Sequence, residues 1–330
     1  MNFLALFLSM ALFPVLRSLN SDLPTRSSQI KELEIIAKSA DFWVSVHAIE
    51  FLAKLGLKKE AKELARKQLK PFQRTSEKRV GYWRTRSLTS KGSFERYFWN
   101  RQIKKAYLDI SGTDRIHSAE SLAKLGISFK NLNHKIVNKD LMSEGMIFSF
   151  SYWGNSLPIN KQDNPNYGAL IKELSHKEVK NRSLTGYGLS FLLPNMKADC
   201  WESLAHSALM EDPNSEAYVY LVGAAYIHFN KNQHHFWEIF QELRKRLLDF
   251  EHSKKKSERI ELCRALANSP LYFEQDLGTI ERILLSTKKS NDDVTDNSFK
   301  GVQEDWGNLD IRASAAYAWI QINLKKNNQE

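Results

Sequence analysis

Histidine and glutamate recur one helical turn apart at two places in the chain. His47 precedes Glu50 by three residues, and His117 precedes Glu120 in the same way. Two such pairs on facing helices can build a carboxylate–histidine metal site. Here the order is the reverse of the Glu-x-x-His pattern, and the pairs lie in successive units of a sequence repeat. We therefore predict hydrogen bonds between neighbouring repeats, and no metal.

A third group of possible ligands is formed by His234, His235 and Glu238. Their spacing fits one helix face, but the sequence contains no His-Glu-x-x-His motif and offers no further ligand for zinc. It also lacks a Gly-rich phosphate loop, a Gly-x-Ser-x-Gly elbow and a nucleophilic-cysteine motif. We predict no cofactor, and no catalytic residue is named from the sequence.

Two short segments combine aromatic with basic residues and are the best candidates for binding. Aromatic rings stack on sugars or bases, and arginine pairs with sulfate, carboxylate or phosphate. The alternative is that the aromatic residues pack between helices while the arginines cover the exterior. The candidate binding residues are Tyr82, Trp83, Arg84, Arg86, Arg96, Tyr97, Trp99 and Arg101.

The helices that carry these residues are predicted from internal repetition. Residues 47–56 return as residues 117–126, with His, Glu, Leu-Ala-Lys-Leu and Gly in register. Residues 182–189 and 312–319 share an Arg, a Tyr and small side chains. Self-similarity of this kind is typical of helical repeat proteins. We predict that Arg182 and Arg312 stabilise the stacking of repeats, as the His/Glu pairs do.

The units at 48–56, 119–126 and 311–319 resemble HEAT-like (armadillo-like) repeats, including the phycobilisome-lyase type, whose inner helix carries an Arg followed by paired Ala and a Leu. The resemblance extends over most of the chain after residue 30. It implies an all-α fold, a right-handed α-solenoid of stacked antiparallel helix pairs. HEAT-like arrays mostly bind partners, and the repeat itself carries no catalytic residue.

We predict a single domain at 22–330, with long loops near 155–167 and 286–308 where Pro, Asn, Ser, Asp and Gly are frequent. Residues 146–153 alternate like a strand, but their place in the repeat favours a helix. Two cysteines, Cys200 and Cys263, are too few for a disulfide scaffold. Each is predicted to be a small core residue, and one bridge is possible in an oxidising compartment.

The first residues form an apolar run that is too short to span a bilayer but suits the core of a signal peptide. We predict a signal peptide at 1–21, a secreted or periplasmic protein, and no transmembrane span in the mature chain. The run lacks a preceding Lys or Arg and a clean cleavage site, so a buried first helix is the alternative.

Three functions are compatible with these features and with a net charge of +10. The favoured one is an exported, non-enzymatic scaffold that binds another protein on its concave face. The second is a secreted helical toroid, an enzyme or a binding protein for acidic polysaccharide, which requires the helices to close into a ring around an acidic and aromatic cleft. The third is nucleic-acid binding, which is less compatible with export of the protein by a signal peptide.

Overall fold

The structure is a computed structural model that describes residues 24–39, 41–109, 114–127, 167–191, 196–288 and 302–328. Within these residues the secondary structure is entirely helical, which confirms the all-α prediction. The α-helices are α1 Arg26–Ser39, α2 Phe42–Lys54, α3 Lys58–Leu64, α4 Lys78–Leu88, α5 Ser93–Leu108, α6 Arg115–Lys124, α7 Tyr167–Glu173, α8 Val179–Leu189, α9 Ala198–Met210, α10 Glu216–His228, α11 Trp237–Asp249, α12 Lys256–Asn268, α13 Glu274–Lys288 and α14 Val302–Asn327.

The even-numbered helices form an inner layer. Consecutive members pack on one another from α2 to α4 to α6, and again from α8 to α10, α12 and α14. Between α6 and α8 the hydroxyl of Tyr187 donates to Glu120 Oε1 at 3.1 Å. The odd-numbered helices flank this layer, as α1 packs on α2, α5 on α4 and α6, and α13 on α14.

The last helix returns to the first two. α14 packs on α1 and α2 as well as on α12 and α13. Arg312 of α14 forms an ion pair with Glu32 of α1 at 2.5 Å, and Tyr317 stacks on Phe51 of α2 with ring centroids 4.6 Å apart. An open superhelix keeps its first and last repeats apart, because each unit contacts only its neighbours. The described helices instead close into a ring.

The repeated decapeptide forms the same local structure twice. Gly56 and Gly126 follow α2 and α6 with φ of +88° and +67°, a conformation that glycine adopts without strain. The amide of Leu57 donates to the carbonyl of Leu52 at 3.0 Å, and the equivalent bond after α6 measures 2.9 Å. This is the hydrogen bond of a Schellman motif, so each glycine ends an inner helix.

Small and apolar residues allow the inner helices to approach closely. α10 is buried on all sides from Ala217 to His228 except at Tyr220, as expected for a helix that packs against α8, α9, α11 and α12. Gly186 of α8 lies against it, and a Cβ at this position would be 3.0 Å from the carbonyl carbon of Tyr220. A larger residue at 186 would therefore force the α8–α10 pair apart.

Several sequence predictions concern residues outside the described ranges. These are the signal peptide at 1–21, the helix at 146–153 and nearly all of the loop at 155–167, of which Tyr167 begins α7. At 286–308, α13 extends to Lys288 and α14 begins at Val302, which shortens the span available to a loop. No helix among the described residues is both long and apolar enough to cross a membrane.

The two cysteines lie in the outer and inner layers and form no disulfide bridge. Cys200 of α9 is half-buried and Cys263 of α12 is fully buried, so both pack as small core residues. Burial raises the pKa of the Cys263 thiol to about 12. This thiol is therefore protonated and unreactive at neutral pH.

Candidate functional site

Arg84 lies at the centre of a buried charge network inside the ring. Its side chain extends from α4 and donates from Nε to Glu50 of α2. Its Nη1 lies 3.7 Å from Glu120 Oε2 of α6 and donates to Ser121 Oγ at 3.3 Å. One guanidinium thus links three consecutive inner helices and pairs with carboxylates from two of them.

The charges of this network determine its protonation state. Burial alone raises the pKa of Glu50 and Glu120, but the cations beside them outweigh burial and lower both values. The main cation is Arg84 for Glu50, and Lys124 followed by Arg84 for Glu120. Burial in turn lowers the pKa of Arg84, and the two carboxylates more than reverse that effect. The network is therefore fully ionised at neutral pH.

The repeated His-x-x-Glu-x-x-x-Lys sequence presents three polar side chains on one face of α2 and again on α6. On α2 these side chains border a partly open cavity of about 310 Å³ between the inner helices. On α6, Lys124 borders the same cavity, and its ammonium lies 2.6 Å from Glu120. The ring of His117 stacks on Trp43 of α2 with centroids 4.7 Å apart.

Aromatic residues from four inner helices form the apolar part of the cavity wall. Phe51 and Tyr317 are stacked at an interplanar angle of 13°. Tyr187 meets Phe191 edge to face at 4.9 Å and Tyr220 at 5.6 Å. Burial raises the pKa of Tyr317 to about 12 and also raises those of Tyr187 and Tyr220. These hydroxyl groups remain protonated and can donate hydrogen bonds.

Three cations from different helices converge on the ring of Phe191. The ammonium groups of Lys54 and Lys124 lie 5.9 and 5.2 Å from its centroid, and the guanidinium carbon of Arg264 lies 4.9 Å away. Each is within the distance of a cation–π contact. Helices α2, α6 and α12 thus deliver three positive charges to one part of the cavity.

Lys54 differs from the other two cations because no carboxylate in the described part of the chain pairs with it. Lys124 pairs with Glu120, and Arg264 pairs with Glu261. Within the described residues Lys54 forms no ion pair, and its side chain is exposed to the cavity although protein surrounds it. Burial lowers the pKa of Lys54, and the charges of Lys124 and Arg264 lower it further against the opposing effect of Glu50. This ammonium therefore lies in a region of positive potential.

A second cavity, of about 400 Å³, adjoins the first on the side of Arg84. Both cavities are lined by His47, Tyr187 and Tyr220. His47 Nδ1 lies 3.1 Å from Asp310 Oδ1, and Lys256 Nζ lies 3.0 Å from the other oxygen of this carboxylate. Burial raises the pKa of Asp310, but the bond to His47 and the charges of His47 and Lys256 lower it to about 2.

The predicted binding residues do not share a surface. Arg84 lies inside the ring, and Trp83 is half-buried beside it. Tyr82, Arg86 and Trp99 pack together between α4 and α5, with the Arg86 guanidinium 5.2 Å from the Trp99 ring and 2.5 Å from Glu95. The remaining three are exposed on the outer face of α5: Arg96, Tyr97 and Arg101.

The residues assigned to repeat stacking have different partners from one another. Glu50 and Glu120 both bind Arg84, and Arg312 binds Glu32 across the ring closure. Arg182 instead forms two 2.8 Å hydrogen bonds to Glu211, just beyond α9. Of the third group of possible ligands, His234 and His235 are exposed in a 3₁₀ segment at Lys231–Phe236, and Glu238 is exposed on α11.

No group of three or more His, Cys, Asp or Glu side chains in the described part of the chain is arranged to hold a metal ion. The cavity also differs from the acidic cleft that the toroid hypothesis required. Its charged lining comprises four Lys or Arg residues and three Asp or Glu residues. Cations therefore outnumber carboxylates in this lining, and Lys54 is the one among them without an ion pair to a described residue.

Sequence reasoning missed the residues that matter most in the cavity. Lys54 and Lys124 stand at the same position of the repeated decapeptide, and Tyr187 and Tyr317 occupy matching positions of the second repeat pair. Polar residues at equivalent repeat positions were the available signal, because equivalent positions of inner helices face the ring centre. Arg264 has no counterpart at an equivalent position of another repeat, and only its location near the expected repeat at about residue 250 could have indicated it.

Comparison with protein-family models, with curated proteins and with solved structures yields no match to this chain. The resemblance to HEAT-like repeats therefore stays a prediction.

Replacing Arg84 with methionine should destabilise the fold strongly. Arg84→Met leaves Glu50 and Glu120 buried without their shared cation, and removal of one partner from a buried pair costs about 3–5 kcal/mol. Arg282→Met is the matched control, because Arg282 is 59% exposed in its pair with Glu251 and should contribute about 1 kcal/mol or less. Urea unfolding measures both, and equal losses of stability would contradict the central role of Arg84.

Proposed function

We propose that this chain is a helical ring that binds an acidic saccharide in its central cavity. The observation that carries the proposal is the convergence of Lys54, Lys124 and Arg264 on Phe191, where Lys54 forms no ion pair with any residue that the structure describes. The arrangement combines the aromatic surface and the positive charge that a charged sugar requires.

The electrostatics of the cavity favour an anionic ligand. Three like charges held together repel one another, and solvent screens them poorly where protein surrounds them. Glu120 and Glu261 compensate two of the charges, and the third is left to a ligand. Burial lowers the pKa of Lys54 most, and repulsion from Lys124 and Arg264 lowers it further; a carboxylate or sulfate beside this lysine would relieve the repulsion.

The remaining wall of the cavity suits a sugar ring. The apolar face of a pyranose packs on aromatic surfaces such as the Phe51–Tyr317 stack, and its hydroxyl groups need several polar partners. Ser257, Asn268 and Ser314 line the same cavity and offer both donors and acceptors. The volume of about 310 Å³ is at the lower end of the range for small-molecule sites.

Ring closure makes a scaffold for a protein partner the less suitable function. A scaffold for a protein partner uses an extended concave face, whereas the inner helices here face one another across the cavity. We infer that stacked helix pairs of HEAT-like type build the ring and that their superhelix closes on itself. Export directed by residues 1–21 would bring this ring to polysaccharides outside the cytoplasm.

Removing the charge of Lys54 should weaken binding of acidic sugars selectively. In calorimetric titrations we expect galacturonate oligomers or glucuronate-containing oligosaccharides to bind the full chain at least 10-fold more tightly than their neutral counterparts. Lys54→Gln should bind the acidic oligosaccharides at least 10-fold more weakly, a loss of about 1.4 kcal/mol, because the ammonium group that contacts the anion is removed. Lys58→Gln, at an exposed position on α3, is the control and should bind normally.

Two results would overturn the proposal. One is equal affinity for acidic and neutral oligosaccharides, or no binding of either. The other is an acidic preference that Lys54→Gln leaves unchanged, which would place the anion elsewhere.

Binding should also depend on pH through Lys54. Its pKa is lowered in the free protein, and a bound anion raises it again, so protonation and binding favour each other. Affinity for uronate oligomers should be constant below the lowered pKa and should fall as the pH rises through it. Lys124 and Tyr187 have raised pKa values and stay protonated over this range. Affinity that rises with pH, or the same fall in Lys54→Gln, would contradict this assignment.

A further inference from the structure

We propose that His47 is a general base toward the bound saccharide and that the ring cleaves uronate chains by β-elimination, with Asp310 as a positioning residue. This inference rests on the proposed function, because it requires a uronate in the central cavity. It adds an activity to what would otherwise be a binding site.

The first argument is the geometry of the His47–Asp310 pair. Asp310 is buried on α14, and its Oδ1 lies 3.1 Å from His47 Nδ1 on α2. A buried carboxylate at Nδ1 fixes the tautomer in which Nδ1–H donates, and it stabilises the imidazolium that forms when Nε2 accepts a proton. Lys256 holds the other carboxylate oxygen at 3.0 Å, so the carboxylate cannot rotate freely.

The second argument is the place of the imidazole. The His47 side chain is 34% exposed, and it lines both cavities at their junction. Its Nε2 makes no hydrogen bond to any of the described residues. A base that is oriented by a carboxylate on one nitrogen and open to a cavity on the other has the geometry required for proton abstraction.

The third argument is the relation of His47 to the cationic group. His47 and Lys54 lie on one face of α2, two turns or about 10 Å apart along the axis. Side chains of a helix lean toward its N-terminus, and the long Lys54 side chain therefore extends toward the level of His47. A saccharide unit whose carboxylate contacts Lys54 can then present its ring hydrogens to the imidazole.

A cation beside the carboxylate and a general base beside the sugar ring are the groups that β-elimination of a uronate requires. When a cation neutralises the carboxylate, the neighbouring C5–H becomes acidic enough for a general base. His47 Nε2 takes the C5 proton, the electron pair of that bond forms a C4=C5 double bond, and the C4–O bond breaks. The departing oxygen takes a proton, and one chain becomes two without water, oxidant or reductant.

Tyr187 is the group that donates this proton. Tyr187 lines both cavities, and its hydroxyl remains protonated because burial and the charge of Glu120 raise its pKa. The contact of its hydroxyl with Glu120 and the nearby Lys124 fixes the position of the ring. The proton that His47 has accepted returns to Tyr187 through solvent after the products leave.

The test uses the full chain with polygalacturonate, alginate and hyaluronan, each assayed separately. Elimination produces a conjugated C4=C5 bond at the new non-reducing end, which ultraviolet absorbance and product mass report. We expect such products from at least one polymer, and His47→Gln should lower their rate at least about 100-fold. His206→Gln is the control, because His206 is exposed on α9 and should react at the normal rate. Unfolding curves of each variant check that it folds.

Asp310→Asn tests the positioning role. It should lower kcat at least about 10-fold while the calorimetric Kd for a short uronate oligomer stays within 2-fold, because the carboxylate orients the base and does not touch the ligand. A weakening of binding as large as the fall in kcat would overturn the positioning role of Asp310.

The outcomes separate the two proposals. Uronate oligomers that bind in the cavity but yield no unsaturated product would leave the proposed function standing and overturn the elimination. Saturated products that contain added water would overturn elimination in favour of hydrolysis. Unsaturated product from His47→Gln at the normal rate would overturn the assignment of His47, and failure of every acidic oligomer to bind would overturn the proposed function itself.

Discussion

The guanidinium of Arg84 pairs with two carboxylates that lie on opposite sides of it inside the ring, Glu50 and Glu120. When helices close into a ring, the polar faces of the inner layer point at one another, and charges that would be solvated on an open surface must be neutralised within the structure. Glu50, Arg84, Glu120 and Lys124 achieve this across three helices. Within these four residues the charges are matched, whereas Lys54 forms no ion pair among the described residues, and the proposed preference for an anion depends on this difference.

Ring closure also explains why two copies of one repeated sequence lie in different environments. The His-x-x-Glu-x-x-x-Lys pattern gives α2 and α6 identical polar faces, yet the two copies have different neighbours. His117 stacks on Trp43, whereas His47 meets Asp310 at the junction with α14. Both lysines border the cavity, but Lys124 forms an ion pair with Glu120, whereas Lys54 forms none with the described residues. Because the ring closes, equivalent residues of the two repeats have different neighbours.

Local features of the fold were predictable from the sequence, and the closure was not. Helical spacing, Gly56 and Gly126 define inner helices that end in the same motif. The contact between Arg312 and Glu32 joins residues at opposite ends of the described chain, and no local pattern encodes which carboxylate an arginine will meet. The residues of the two aromatic–basic segments are also far from a common surface: Arg84 lies inside the ring, whereas Tyr97 is exposed on its outer face. Local sequence does not predict this separation, because it depends on how the helices pack.

The central claim is that the first and last helices are in contact, and a double-mutant cycle at Glu32 and Arg312 tests it most directly. Glu32→Arg and Arg312→Glu should each lower the free energy of unfolding by placing like charges together. The double variant should recover stability, with a coupling energy of about 0.5–3 kcal/mol as expected for residues in contact. Additive losses would mean that the two side chains do not meet, and the closed ring with its cavity would be contradicted.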